Sequence, residues 1–319
     1  MSDGRLERRL EEIRREALAT GTVGGTGTRP AGAPMPPGEG GYYGLPLLKA
    51  PVWTWEIPAY FFVGGAAGAA AVIGAAGRAT GAPAALVRDA RWIAAAGAVL
   101  SPPLLISDLG RPERFLNMLR VFKLQSPMSV GAWTLVAFSN AAAAAAFADY
   151  AHRATNGRLP VKILGDAAEV LSAATGLVLS TYTGVLIGAT AIPVWSKNVR
   201  VLPIHFGMSG LGSAVSILEL LGHRHRALNA LGVGAAAVET AIGVTLEYRG
   251  DPGLEPVKRG SSGGMVRLGG LLSGPVPLAL RLLGGRRRSV RRAAAISTIA
   301  GSLLTRIGWI AAGRRSARG

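Results

Sequence analysis

Ile57-Pro-Ala-Tyr-Phe-Phe-Val-Gly-Gly-Ala-Ala-Gly-Ala-Ala-Ala-Val-Ile-Gly-Ala-Ala-Gly77 runs for about twenty residues without a charged side chain, the length an α-helix needs to cross ~30 Å of hydrocarbon. Seven more stretches repeat the pattern, at 91–107, 131–150, 168–190, 202–222, 228–247, 264–284 and 293–312. The seventh is the weakest, because Pro275, Pro277 and several glycines interrupt it and Arg267 and Arg281 fall inside it. Small residues dominate: Gly64, Gly65 and Gly68 in the first span, the alanine run 141–146 in the third, and Gly207, Gly210 and Gly212 in the fifth. Lipid tails are as apolar as leucine, so helices in lipid associate through close packing of small residues rather than through the hydrophobic effect. The expected fold is an all-α integral membrane bundle of about eight transmembrane helices.

Composition agrees. Of 319 residues, 49% are hydrophobic and 17% charged, and the mean hydropathy is +0.33. A net charge of +17 would suggest nucleic acid in a soluble protein. Here much of the Lys and Arg flanks apolar runs, where it meets anionic lipid headgroups and fixes topology; no nucleic-acid partner is expected. With no cysteine, the chain can hold no thiolate-ligated iron–sulfur cluster and no cysteine zinc site. Of the four histidines, His152, His223 and His225 fall in loops on one side and only His205 near the other, which disfavours a haem held between facing spans. No metal is expected within the chain.

Residues 1–41 form an extramembrane arm. Leu6, Leu10, Ile13 and Ala17 share one face of an amphipathic helix, and residues 19–41 are a Gly-, Thr- and Pro-rich tether. The arm reads either as a solvated helix or as a docking device. The membrane domain covers 42–313, and 314–319 is a basic tail. Eight spans put both termini on one side. Without the arm, Lys and Arg are nearly balanced between the faces, so the positive-inside rule does not decide. The arm lacks the apolar core of an export signal, which favours cytoplasmic termini in a cell membrane.

Polar residues gather on the side of the termini. The loop 107–133 contains Asp108, Arg111, Glu113 and Arg114, close enough to pair, and Phe115, Leu116, Leu119 and Phe122 at near-helical spacing. Its alternative reading is an interfacial linker whose arginines meet lipid phosphates. Trp53, Trp55 and Tyr60 have the pattern of an aromatic belt. Glu56, one turn before Tyr60, is not explained that way, since a carboxylate at the lip of a span is costly unless paired; Lys49 or Arg111 is its candidate partner. Tyr182 lies about three turns inside the same face, and Trp195 and His205 lie at it. Tyrosine and histidine donors beside a carboxylate suit a headgroup with two carbonyl oxygens, that is, a quinone. Tyr182 and His205 would bind the headgroup, Glu56 and Asp108 would exchange protons, and Arg114 and Lys123 would dock a partner. Further acids, Glu169, Glu219, Glu239 and Glu247, together with Arg306, read either as a proton path or as ion pairs between helices.

Four motifs then stand out: Lys49-Ala-Pro-Val-Trp-Thr-Trp-Glu-Ile-Pro-Ala-Tyr60, Asp108-Leu-Gly-Arg-Pro-Glu-Arg-Phe115, Ser126-Pro-Met-Ser-Val-Gly-Ala-Trp133 and Ala189-Thr-Ala-Ile-Pro-Val-Trp195. In content and order they closely resemble the NrfD/PsrC family, the membrane subunits of polysulfide-reductase-like complexes, over residues 42–250. The last two spans match by hydropathy only. The resemblance implies eight helices in two four-helix bundles, a partner with four ferredoxin-like iron–sulfur clusters, itself bound to a molybdopterin subunit, and quinone (menaquinone or ubiquinone) reacting near the interface. It carries over Trp55, Glu56 and Tyr60 and, in the loop, Asp108 and Arg111. Family members serve polysulfide, nitrite, sulfite or formate enzymes. Two rival functions remain: a transporter whose route is lined by Glu219, Glu239 and Arg306, for which no internal repeat is visible, and a non-catalytic anchor.

Overall fold

The structure, a computed structural model, describes residues 48, 50–109, 111, 113–156, 161–284 and 287–318. The expected amphipathic arm, Lys49 and the side chain of Arg114 lie outside the described residues. From Ala50 onward the chain forms one compact unit.

Every long element is a helix, since in hydrocarbon the backbone must satisfy its own hydrogen bonds. In order they are α1 (Glu56–Ala79), α2 (Ala84–Asp108), the short α3 (Glu113–Leu119), α4 (Pro127–Ala154), α5 (Lys162–Gly188), the single turn α6 (Pro193–Ser196), α7 (Val201–Leu220), α8 (Arg226–Tyr248), α9 (Glu255–Lys258), α10 (Gly260–Ser273), α11 (Pro275–Gly284) and α12 (Arg288–Ser316). Among the described residues, eight spans are long and apolar enough to cross a membrane, with α10 and α11 together making the seventh. That span breaks at Gly274, between the expected weak points. A Cβ on Gly274 would lie 3.0 Å from the Thr240 amide nitrogen, so the break also lets the chain approach α8. The last helix runs to Ser316, so the first half of the expected tail is its final turn.

The first four spans (α1, α2, α4, α5) pack on one another, and so do the last four (α7, α8, α10–α11, α12). The two bundles meet where α7 packs against α1 and α5. Glycine contacts make that junction. A Cβ on Gly184 of α5 would stand 2.4 Å from the Leu202 carbonyl oxygen of α7, and one on Gly210 of α7 would stand 2.8 Å from that of Gly65 on α1. Backbones this close gain van der Waals contact that larger residues would forbid.

Inside α2, Pro102 has no N–H for the carbonyl of Ala98 four residues back. Ser139 on α4 supplies the missing donor, its hydroxyl lying 3.1 Å from that oxygen. A break in one helix thus becomes a link to its neighbour. At the far face, Arg78 and Arg91 bind Glu169, at 2.8 and 2.7 Å, and reach Asp166 and Asp149. That network joins α1, α2, α4 and α5.

Candidate functional site

The lead-in segment folds back on the end of α2. The Thr54 amide and hydroxyl both donate to Asp108 Oδ1, at 3.1 and 3.2 Å. The same hydroxyl meets Glu56, so one threonine stands between the two carboxylates expected to exchange protons. Arg111 is exposed and, among the described residues, pairs with neither acid. The expected Asp108–Arg111 and Glu56–Arg111 pairings give way to Thr54 because the segment 50–55 reaches the acids first.

Below this junction lies a narrow cleft of about 80 Å³. Tyr60 of α1, Asp108 of α2, Met118 of α3, Met128 and Gly131 of α4 and Tyr182 of α5 are among the residues that line it. Tyr182 donates to the Pro127 carbonyl. Gly131 makes room for Tyr182, since a Cβ there would stand 1.9 Å from the ring. Ser126 caps α4 by accepting from the Ser129 amide, and Ser129 in turn donates to the Val121 carbonyl, at 3.1 Å. The loop is therefore tied to the helix that shapes the cleft. The motif 126–133 carries a cap, a proline first turn and the glycine on which Tyr182 rests.

The expected quinone residues separate into groups. Tyr60, Asp108 and Tyr182 line the cleft, and Glu56 adjoins it through Thr54. Trp55 is 69% exposed, as a belt residue would be, and does not line it. Tyr60 is buried, and Trp53 is no belt residue either: it stacks on Trp195 at 5.5 Å and 15°. Trp195 is fully buried and donates from Nε1 to the Trp309 carbonyl at 2.8 Å. This stack fastens the lead-in segment to α12. Sequence reading missed the parts played by Trp53, Thr54, Gly131 and the two methionines, although all but Met118 sit inside the quoted motifs. Lys123 is exposed on the loop, as are Leu116, Val121, Phe122 and Leu124. Only Phe115 of the expected amphipathic face is buried.

His205 lies elsewhere. Its Nδ1 is 2.9 Å from Glu239 Oε1, and Glu239 Oε2 accepts from Ser273 at 3.0 Å. All three side chains are buried in the second bundle. Glu239 also borders a second cavity of about 370 Å³, lined mainly by apolar residues of α8, α10 and α11. Nearby, Arg306 is fully buried and donates to the Ser209 hydroxyl at 2.7 Å, the Ser302 carbonyl at 3.0 Å and the Phe206 carbonyl at 3.2 Å. Among the described residues it meets no carboxylate. The other acids of the expected path are held by arginines: Glu169 by Arg78 and Arg91, Glu219 by Arg281 and Arg291, and Glu247 by Arg267. Among the described residues, no group of three or more His, Asp or Glu side chains could hold a metal ion.

The family model described as Polysulphide reductase, NrfD, matches residues 47–315. No curated protein shows significant similarity to the chain. The match runs from the lead-in segment to the last turn of α12 and takes in the cleft, the Trp53–Trp195 stack and all eight spans. The chain belongs to the NrfD family, whose members are membrane subunits of molybdopterin oxidoreductase complexes.

Proposed function

We propose that the chain is the quinone-reactive subunit of such a complex, exchanging electrons with an iron–sulfur partner that is itself bound to a molybdopterin subunit. The observation that carries this is the cleft where Tyr60, Asp108 and Tyr182 converge at the membrane edge. Reducing a quinone takes two electrons and two protons. The chain has no cysteine, so the electrons come from the partner's clusters, while this chain orients the ring and supplies protons. The hydroxyl of Tyr60, and that of Tyr182 once it turns from the Pro127 carbonyl, hydrogen-bond the headgroup oxygens. Asp108 delivers or accepts a proton at the ring, and Thr54 links it to Glu56 and so toward water.

The cleft is smaller than a typical ligand pocket of ~300 Å³ or more. Met118 and Met128 form part of its wall, and their unbranched thioether chains can swing to admit a ring. The exposed apolar residues 116–124, with Arg111 and Lys123 beside them, suit a docked soluble partner that would bring its nearest cluster to the cleft. The Arg114 and Lys123 docking roles belong to this proposal. So do a plasma-membrane location with cytoplasmic termini, and proton movement coupled to the chemistry. Of the expected proton path we carry forward Glu239 alone, because its partner His205 can itself take and release a proton, whereas an arginine cannot.

Purifying the tagged chain from its own membrane in mild detergent tests this reading. Iron, molybdenum or tungsten, and bound quinone should accompany it. A metal-free, partner-free chain would return the transporter to first place; metals with a complex whose quinone turnover ignores the cleft would leave only an anchor.

A further inference from the structure

On the face opposite the cleft, the loop before α8, α8 itself, α11 and the start of α12 border an open cavity of about 890 Å³ lined by Arg224, Arg226, Arg281, Arg287 and Arg291. Among the described residues no acid lines it; Arg281 and Arg291 pair with Glu219 of α7, which Arg281 binds at 2.9 Å and Arg291 also reaches. Five guanidinium groups thus line the cavity, and two of them share one carboxylate. Arg281 is only 3% exposed, and among the described residues its Nε and that of Arg291 have no hydrogen-bond acceptor. A guanidinium buried with unmet donors is costly unless an anion joins it.

Helix polarity adds a second argument. Arg226 opens α8, Arg288 and Arg291 lie in the first turn of α12, and neither helix has an acid there. Cations at helix N-termini oppose the macrodipole, whereas an anion suits it. Gly232 makes room for the arrangement, because a Cβ there would lie 2.5 Å from Arg281 Cζ.

We propose that this cavity binds the phosphodiester headgroup of an anionic phospholipid. The cavity is far larger than one phosphate needs. Leu282 and Leu283, among its lining residues, are 65% and 89% exposed, and they sit where acyl chains would leave a headgroup bound at the membrane edge. Arg281 and Arg291 take the phosphate oxygens while remaining paired with Glu219, and Arg224, Arg226 and Arg287 close the rim.

The test uses the purified complex, stripped of loosely held lipid, and measures thermal stabilisation by phosphatidylglycerol, by phosphatidylcholine with the same chains, and by inorganic phosphate. Phosphatidylglycerol alone should stabilise strongly. A basic residue at an anionic surface contributes roughly fivefold, so Arg224→Gln/Arg226→Gln/Arg287→Gln should weaken phosphatidylglycerol binding at least tenfold without disturbing the buried pairs. If that variant does not assemble, Arg287→Gln alone should weaken binding at least threefold. Equal stabilisation by phosphatidylcholine, equal potency of inorganic phosphate, or smaller losses in these variants would overturn the proposal. None of these readouts depends on quinone chemistry.

Discussion

Asp108 and Thr54, fifty-four positions apart, are joined twice through one carboxylate oxygen, by the Thr54 amide at 3.1 Å and its hydroxyl at 3.2 Å. The bond closes the segment before the first span onto the end of the second and puts Asp108 on the cleft wall. Asp108→Asn keeps an oxygen for both donors but removes the acid. The complex should therefore assemble normally while quinone turnover falls at least ~100-fold, the usual scale of a lost proton-transfer group. Steady-state quinone kinetics beside a metal assay of the same preparation checks both halves. Unchanged turnover would remove Asp108 from the chemistry.

Gly131→Ala should act through Tyr182. The new methyl overlaps the ring, and overpacking of this kind costs ~1–3 kcal/mol. Tyr182→Phe loses only the hydroxyl and its bond to Pro127. Both variants should raise KM for quinone and lower the thermal unfolding midpoint by several degrees, the phenylalanine because it leaves the Pro127 carbonyl without its donor.

Ser139→Ala leaves the Ala98 carbonyl without its donor, at a cost of ~1–3 kcal/mol for an unsatisfied buried group. Pro102→Ala restores the helix's own N–H, so the double variant should recover most of that loss. Thermal unfolding of the four proteins in one detergent gives the cycle. Additive losses would show that the serine does not serve the proline gap.

The eight spans were legible because hydrocarbon demands long apolar helices, and that demand leaves the same mark in any order of residues. The break at Gly274 was legible for a related reason, since Pro275 and Pro277 withhold two N–H groups from the preceding turn. The site was only partly legible. Tyr60, Asp108 and Tyr182 line one cleft, but which face of the fifth span meets the first bundle depends on glycine contacts such as Gly65–Gly210, and spacing along one chain does not encode them. For that reason His205 looked like a cleft residue and instead meets Glu239. Thr54, between two tryptophans, gave no signal of its own, because its role needs the end of α2 beside it.

Removing one member of the buried His205–Glu239 pair should separate charge from shape. Glu239→Ala strands His205 and Ser273 and should destabilise by ~3–5 kcal/mol. Glu239→Gln keeps both hydrogen bonds and should cost ~1 kcal/mol, while abolishing any proton movement linked to turnover. Proton release measured in vesicles, alongside unfolding, checks the two effects separately.

Outside the membrane, Lys197 holds Asp251 at 2.7 Å and, as a hydrogen-bond partner and nearby cation, keeps the Asp251 carboxyl below its ordinary value of 3.8. A depressed acid stabilises the fold above its unfolded value and loses that contribution as pH falls through the folded one. Protection of the 251–254 turn from hydrogen exchange, corrected for the intrinsic rate at each pH, should therefore fall below about pH 4, and Lys197→Met should weaken that pH dependence. An identical profile in the variant would count against the ion pair.

The most direct measurement of the central claim is photolabelling of the purified complex with an azido-quinone, followed by mapping of the labelled peptides. The account predicts labelling of α1, of the segment containing Met118 and Met128, and of α5 near Tyr182, with loss of label when excess quinone competes. Label confined to α8, α10 and α11, around the larger cavity beside Glu239, would place the quinone in the second bundle and contradict it.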